Sequence, residues 1–265
     1  PKLTKIDCGG SANILPSAAR VGGKTCVAWE TNQSGHRAVA VTWIDGRGAK
    51  DPRLISPPDE DCANPAIVAL EDGDAFGAWD SFRGANVDIY GRRYEDGEWQ
   101  DERRLTSDPR VERHAELAAD GDEVWMAWQA QSFEESRVNH LNDQLALVAA
   151  IRDDGLEAPR GLTDLFEGEK LLRPSIAFDP QGRLWLTVRR SMGQHSGWDA
   201  WTSCYSGGKW SEKQKVWAQS GRWRHVPVAW GGTGTLAAVQ RDTIKSGNTR
   251  GLQPNCRSDV VLVNM

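Results

Sequence analysis

Residues 65–106 read PAIVALEDGDAFGAWDSFRGANVDIYGRRYEDGEWQDERRLT, four strand-like segments separated by turn signals. PAIVAL and AFGAW flank EDGD as two antiparallel strands flank a tight turn. VDIYGRRY then alternates polar and apolar residues at period 2, and a fourth segment, WQDERRLT, follows the turn EDGE. The same order recurs along the chain. PSAARVGGKTCVAW (16–29), HAELAADGDEVWMAW (114–128), PSIAFDPQGRLWLTV (174–188) and PVAWGGTGTLAAV (227–239) repeat the first hairpin, and its last residues, Trp29, Trp79, Trp128, Val188 and Val239, lie 50, 49, 60 and 51 residues apart. The long interval absorbs the extended stretch 129–142 and an insert at 164–173. Third strands follow as HRAVAVTW, VDIYGRRY, QLALVAAI, WDAWTSCY and SDVVLVNM, and fourth strands as DPRLIS, WQDERRLT, LEAPRGLT and WSEKQKVW. The fifth unit stops at Met265 without a fourth strand, and KLTKIDC (2–8) supplies one.

Composition agrees with an all-β chain. Of 265 residues 39% are hydrophobic, Gly 27 and Pro 12 provide turns, and Trp 13 against Met 3 favours short strands over helices. No apolar run reaches the roughly 18 residues of a membrane-spanning helix, so no membrane insertion is expected. The start PKLTKIDCGG has no apolar leader segment. Net charge is −5, from 32 Lys+Arg and 37 Asp+Glu, and basic residues do not interleave with an aromatic stripe, which argues against a nucleic-acid partner.

Four strands per unit and a period near 50 residues resemble a β-propeller, here with five blades, the ring being closed by the N-terminal strand pairing with 258–265. A single domain, 1–265, is expected, with blades at about 10–56, 57–106, 107–163, 164–218 and 219–265 plus 2–8. The stretch 78–106 and the turns YEDGEW (94–99) and YSGGKW (205–210) resemble the sialidase-like, BNR-type repeat propellers of secreted bacterial proteins. That resemblance implies a secreted or cell-surface protein. YEDGEW and YSGGKW only approximate the Asp box, Ser-x-Asp-x-Gly-x-Thr-Trp. A sialidase also needs a Tyr nucleophile, whereas Tyr90, Tyr94 and Tyr205 all fall in third strands.

Trp29, Trp79, Trp128, Trp99 and Trp210 recur at fixed strand positions and are expected to pack between sheets. Ser17, Ala66, Ala115, Ser175 and Val228 are expected at one equivalent place on the innermost strands, where small residues fit a narrow axis. Cys8 and Cys256 are expected to form a disulfide if the closing strand runs antiparallel to the last one. Cys26 with Cys62 is the second candidate, and Cys204 is the odd, buried thiol. No Cys/His spacing suits zinc and no phosphate loop is present, so neither metal nor cofactor is expected.

Functional residues are sought on the longer loops, since the tight turns share the opposite face. All five histidines, His36, His114, His140, His195 and His225, fall in those loops. VERHA (111–115) and RWRHVP (222–227) both place Arg before His as the chain enters an innermost strand, and Arg173 precedes Pro174 at a third such entry. Arg113, His114, Glu116, Arg173, Arg222, Trp223, Arg224 and His225 are therefore the candidate ligand-binding residues, with Trp198 a further stacking face. Arg offers a planar fork for carboxylate, sulfate or phosphate groups. The favoured reading is a non-catalytic propeller binding a glycan or other anionic small molecule, with no catalytic residue. One alternative is a polysaccharide lyase, with His114 or His225 as base and Arg113 or Arg224 neutralising charge, or a glycoside hydrolase pairing Glu116 with Asp80, Asp108 or Asp242. The other is a structural or assembly scaffold. Asp80 and Asp88 are expected to cap their own loop.

Overall fold

The computed structural model describes residues 5–6, 9, 12–33, 35–133, 141–192, 198–216, 222–223, 228–231, 234–244 and 256–264, with side chains through Val216 except Leu141 and Asn142. Strands dominate, joined by one short 3-10 turn, Glu71–Gly73, and one helical turn, Leu162–Leu165. The chain divides into two compact units, Pro1–Asn142 with Val148–Ala158, and Asp143–Leu147 with Pro159–Met265.

Three antiparallel sheets come first. Asn13–Val21, Lys24–Thr31 and Ala38–Asp45 form one, edged by Gly48–Ala49 and Arg53–Leu54. Asp61–Ala69, Ala75–Arg83 and Asn86–Glu95 form the next, edged by Glu98–Trp99 and Arg103–Arg104, and Val111–Asp120, Glu123–Phe133, Leu141–Arg152 and Gly155–Glu157 the third. Neighbours in sequence are neighbours in the sheet, which is the up-and-down order of a propeller blade. In the second unit Leu171–Phe178, Leu184–Ser191 and Trp198–Ser206 carry the edge pieces Lys209–Trp210 and Gln214–Lys215. Val228–Gly231, Gly234–Ile244 and Cys256–Asn264 form a further three-stranded set. The short strand Arg222–Trp223 joins the two sets, Arg222 pairing with both Trp198 and Asp242.

The outermost strands are shorter than expected. In three sheets they are two-residue pieces followed by one more main-chain bond, Ile55 to Val39 (2.9 Å), Leu105 to Ile89 (2.8 Å) and Val216 to Ala200 (2.9 Å). In LEAPRGLT, pairing ends at Glu157, because Pro159 has no N–H for a ladder and Gly161 takes φ 86 ahead of the helical turn.

Four inner strands break register near their starts, between Ile14 and Ser17, Ala63 and Ala66, Arg113 and Glu116, and Leu172 and Ser175. At every break a non-glycine residue is left-handed: Leu15 (φ 52), Asn64 (φ 50), His114 (φ 59) and Arg173 (φ 50). Such backbone costs of order 1–3 kcal/mol and persists only where surrounding bonds enforce it. The bulge corrects one expectation. The residue equivalent to Ser17, Ala66 and Ser175 is Glu116, opposite Ala127, and not Ala115, because His114 matches the residue before Pro16 and Pro65.

Trp29, Trp79 and Trp128 are buried as expected, with Val21, Cys26, Val39, Ile55 and Ile67 packed into the core around Trp79. The Trp29 indole donates to Asn13 Oδ1 (2.9 Å) and that of Trp128 to Glu112 Oε1 (2.7 Å). The second sheet has Cys62 at the matching position, and the buried Trp79 Nε1 has no partner.

Cys26 and Cys62 are free thiols, which corrects the pairing expected between them: Cys62 instead contacts Ser81 Oγ at 3.3 Å. Cys204 is also free but half-buried rather than buried. Residues 2–4 and 7–8 and the Cys256 side chain lie outside the described residues, and with them the closing strand and the Cys8–Cys256 bridge. Among the described residues no helix is long and apolar enough to cross a membrane.

Candidate functional site

The left-handed entry residues place polar side chains at one edge of the sheets, and a repeated tie fixes them. The residue after each core tryptophan is polar and buried: Glu30 is 7% exposed, Asp80 4% and Gln129 2%. Glu30 Oε2 accepts the backbone N–H of Asn64 (3.4 Å) in the next sheet, and Asp80 Oδ1 accepts that of His114 (2.8 Å). Asp80 Oδ2 also takes the Asn64 side-chain amide at 2.6 Å. Buried carboxylates on backbone N–H groups are charge-assisted bonds, strong enough to hold strained dihedrals. Asp80 therefore staples the next blade instead of capping its own loop. Asp88 departs from the same expectation, pairing with Arg104 at 2.8 Å.

Around His114 the polar groups are already committed. Arg113 donates through Nη2 to the buried Gln131 Oε1, while its Nε is buried without a partner. Asp108 is clamped by Arg110 at 2.7 and 2.8 Å, and that bonding holds its carboxyl below the usual carboxylate range. Glu112 takes the Trp128 indole and the Asp108 N–H, and its burial pushes the carboxyl up. Glu116 and His114 are half-buried. Among the described residues no three His, Cys, Asp or Glu side chains converge as metal ligands would.

In the second unit, Arg173 is exposed at its strand entry. The Arg189 guanidinium lies over the Trp198 ring (4.9 Å to the centroid) and that of Arg190 over Trp201 (5.1 Å). Arg222 sits beside Trp198 in the backbone ladder, and Trp223 beside Arg241. The side chains of Arg222 and Trp223, and all of Arg224 and His225, lie outside the described residues. So do His140 and His195, while His36 is exposed.

Thus the structure puts Arg113, His114 and Glu116 together on one strand entry, and Arg173 on another. Sequence reasoning considered Asp80 only as a catalytic partner of Glu116 or a cap of its own loop, and overlooked Glu30 and Asn64. Their signal was the polar residue after each recurring tryptophan, AWE (28–30), AWD (78–80) and AWQ (127–129). Tyr90 is excluded as a nucleophile, being 8% exposed beneath Arg83 (3.9 Å), with burial raising its hydroxyl above the ordinary value.

No protein-family model and no curated protein matches this sequence. Solved structures do share its fold. An α-L-arabinanase of Penicillium chrysogenum complexed with arabinobiose matches with TM-score 0.62 at 12% identity, over 90% of this chain and 80% of that one. A family-25 polysaccharide lyase, an ulvan lyase bound to -[GlcA(1-4)Rha3S]-, matches with TM-score 0.57 at 11% identity, over 85% and 66%. A leech intramolecular trans-sialidase complexed with 2,7-anhydro-Neu5Ac matches with TM-score 0.55 at 10% identity, over 97% and 62%. The expectation of a non-catalytic binding module is corrected by these likenesses, since the proteins that share the fold are glycan-processing enzymes. The chain has the fold of the sialidase-like and glycoside hydrolase β-propellers.

Proposed function

We propose that the chain is a glycan-cleaving enzyme, and that of the two enzymatic readings it is a polysaccharide lyase acting on a uronate-bearing glycan. The observation that carries this choice is the state of the carboxylates at the strand entries. A hydrolase needs two carboxyl groups facing one glycosidic bond. Asp80 and Asp108, the two partners considered for Glu116 whose side chains are described, are spent on Asn64, His114 and Arg110. The same entry carries a half-buried imidazole, held through its own backbone by Asp80, next to Arg113, whose guanidinium also bonds Gln131.

Elimination uses those groups directly. Arginine pairs with the uronate carboxylate and stabilises the charge that develops as the adjacent C5–H bond breaks. The His114 imidazole takes that proton, a C4–C5 double bond forms, and the C4–O bond breaks with its electron pair leaving on oxygen. The imidazolium returns the proton to the departing oxygen, so the base is regenerated. The ulvan lyase of the same fold binds a glucuronate-containing glycan, which favours this class of substrate.

The proposal includes a single domain over residues 1–265, five blades with the bounds given above, and ring closure by residues 2–8. Arg173, Arg222, Trp223, Arg224 and His225 are proposed as ligand-binding residues alongside Arg113, His114 and Glu116, with Trp223 as a stacking face. Secretion follows from the reading, since a polymeric glycan is met outside the cell. The test is incubation with glucuronate polysaccharides. New ultraviolet absorbance from the unsaturated product supports a lyase, and new reducing ends without it would make the protein a hydrolase.

A further inference from the structure

Between the first and second sheets, within the first unit, a groove of about 870 Å³ opens on the outer side, walled by Trp43, Tyr94 and Trp99. Trp43 and Tyr94 lie 4.6 Å apart between ring centroids, and Tyr94 and Trp99 5.3 Å, so the rings form one continuous apolar wall. A second cavity of about 440 Å³ shares Trp43, Tyr94 and Gly97 and carries the groove on toward the turn at Gly22. Packing alone does not require this opening, because interiors normally close to near-crystal density. The three rings are only half-buried, although they rest on the core around Trp79.

The charges are as informative as the rings. Lys50, Arg53 and Arg92 line the larger cavity, and none of them makes an ion pair among the described residues. The Nε of Arg92 is buried without a partner. Asp51 and Glu98 line the same space, leaving one net positive charge and acceptors for hydroxyl groups. Aromatic faces, unpaired cations and a few carboxylates suit a sugar chain with apolar ring faces, hydroxyls and sparse acid groups. An uncharged lipid would leave the cations unmatched.

We propose that this groove is a second glycan-binding site, holding an acidic polysaccharide away from the strand-entry site by stacking pyranose rings on Trp43, Tyr94 and Trp99 and pairing uronate or sulfate with Lys50, Arg53 and Arg92. The acidic nature of the ligand rests partly on the lyase reading, whereas the stacking wall stands without it.

Calorimetric titration of the His114→Ala protein with the polymer of glucuronate and 3-sulfated rhamnose keeps binding separate from cleavage. Trp43→Ala could loosen the core, so two fold-sparing variants are used in that background. Ala49→Trp fills the groove, and Lys50→Glu with Arg53→Glu reverses charges on two exposed residues. Each is expected to weaken the polymer at least about tenfold with little change in the thermal melt. No binding before the groove is altered, or undiminished affinity in both variants, overturns the proposal. If the wild-type protein binds the polymer through the groove yet never cleaves it, the groove stands and the lyase reading falls.

Discussion

Asp80 Oδ1 accepts the backbone N–H of His114 at 2.8 Å, joining the second sheet to the third across 34 residues of chain. Its other oxygen holds Asn64, so one buried carboxylate supports two left-handed residues. Asp80→Ala removes both bonds. Hydrogen bonds to a charged group are worth about 1.5 to 3 kcal/mol, and the variant should melt several degrees lower and lose most cleavage with it. An unchanged thermal melt would show that the bulges hold themselves.

Stability should depend on pH through Glu112. Burial raises its carboxyl above the ordinary value of 4.5 in the folded state, so the fold binds this proton more tightly than the unfolded chain does. That contribution is complete below about pH 4.5 and is lost as pH rises through the folded value. Glu112→Gln keeps an acceptor for the Trp128 indole and cannot ionise, so urea titrations from pH 4 to 7 should show a flatter decline than in the wild type. Parallel curves would place the ionisation elsewhere.

Gly91 carries a packing requirement. A Cβ added there would lie 2.8 Å from the Gly77 carbonyl oxygen and 2.9 Å from the Phe76 ring. Gly91→Ala should therefore be among the most damaging single changes in the second sheet, costing about 1 to 3 kcal/mol by overpacking. At Gly77 the nearest contacts are side-chain atoms at 3.2 and 3.3 Å, and Gly77→Ala should cost less. Differential scanning calorimetry of the two variants ranks them.

Thiol chemistry should separate the described cysteines. Burial pushes Cys26 up to about 12 and raises Cys62 and Cys204 as well, but of the three only Cys204 is partly open to solvent. Because the thiolate is the reactive form, alkylation of the folded protein at pH 8 should label Cys204 first and the other two only on unfolding. A peptide linking Cys26 to Cys62 would contradict the free thiols.

The repeat was legible because each blade rewrites the same hairpin, with Trp29, Trp79 and Trp128 marking its period. The bulge was not. Leu15, Asn64, His114 and Arg173 share a backbone conformation and no side-chain chemistry, so nothing in residue type announces their equivalence. Missing it shifted the third unit by one and set Ala115 where Glu116 belongs. The Arg113–His114 pair was visible as a dipeptide. Its support by Asp80 was hidden, because that bond depends on how adjacent blades meet.

The mass of the products made from a glucuronate polysaccharide tests the central claim most directly. If His114 abstracts the C5 proton beside an arginine-held carboxylate, mass spectrometry will find fragments one water lighter than hydrolysis products. They should disappear with His114→Ala, fall about tenfold or more with Arg113→Ala, and persist with Asp154→Ala on an exposed turn. Fragments that contain the added water, or undiminished cleavage by the His114→Ala protein, would contradict elimination at this strand entry.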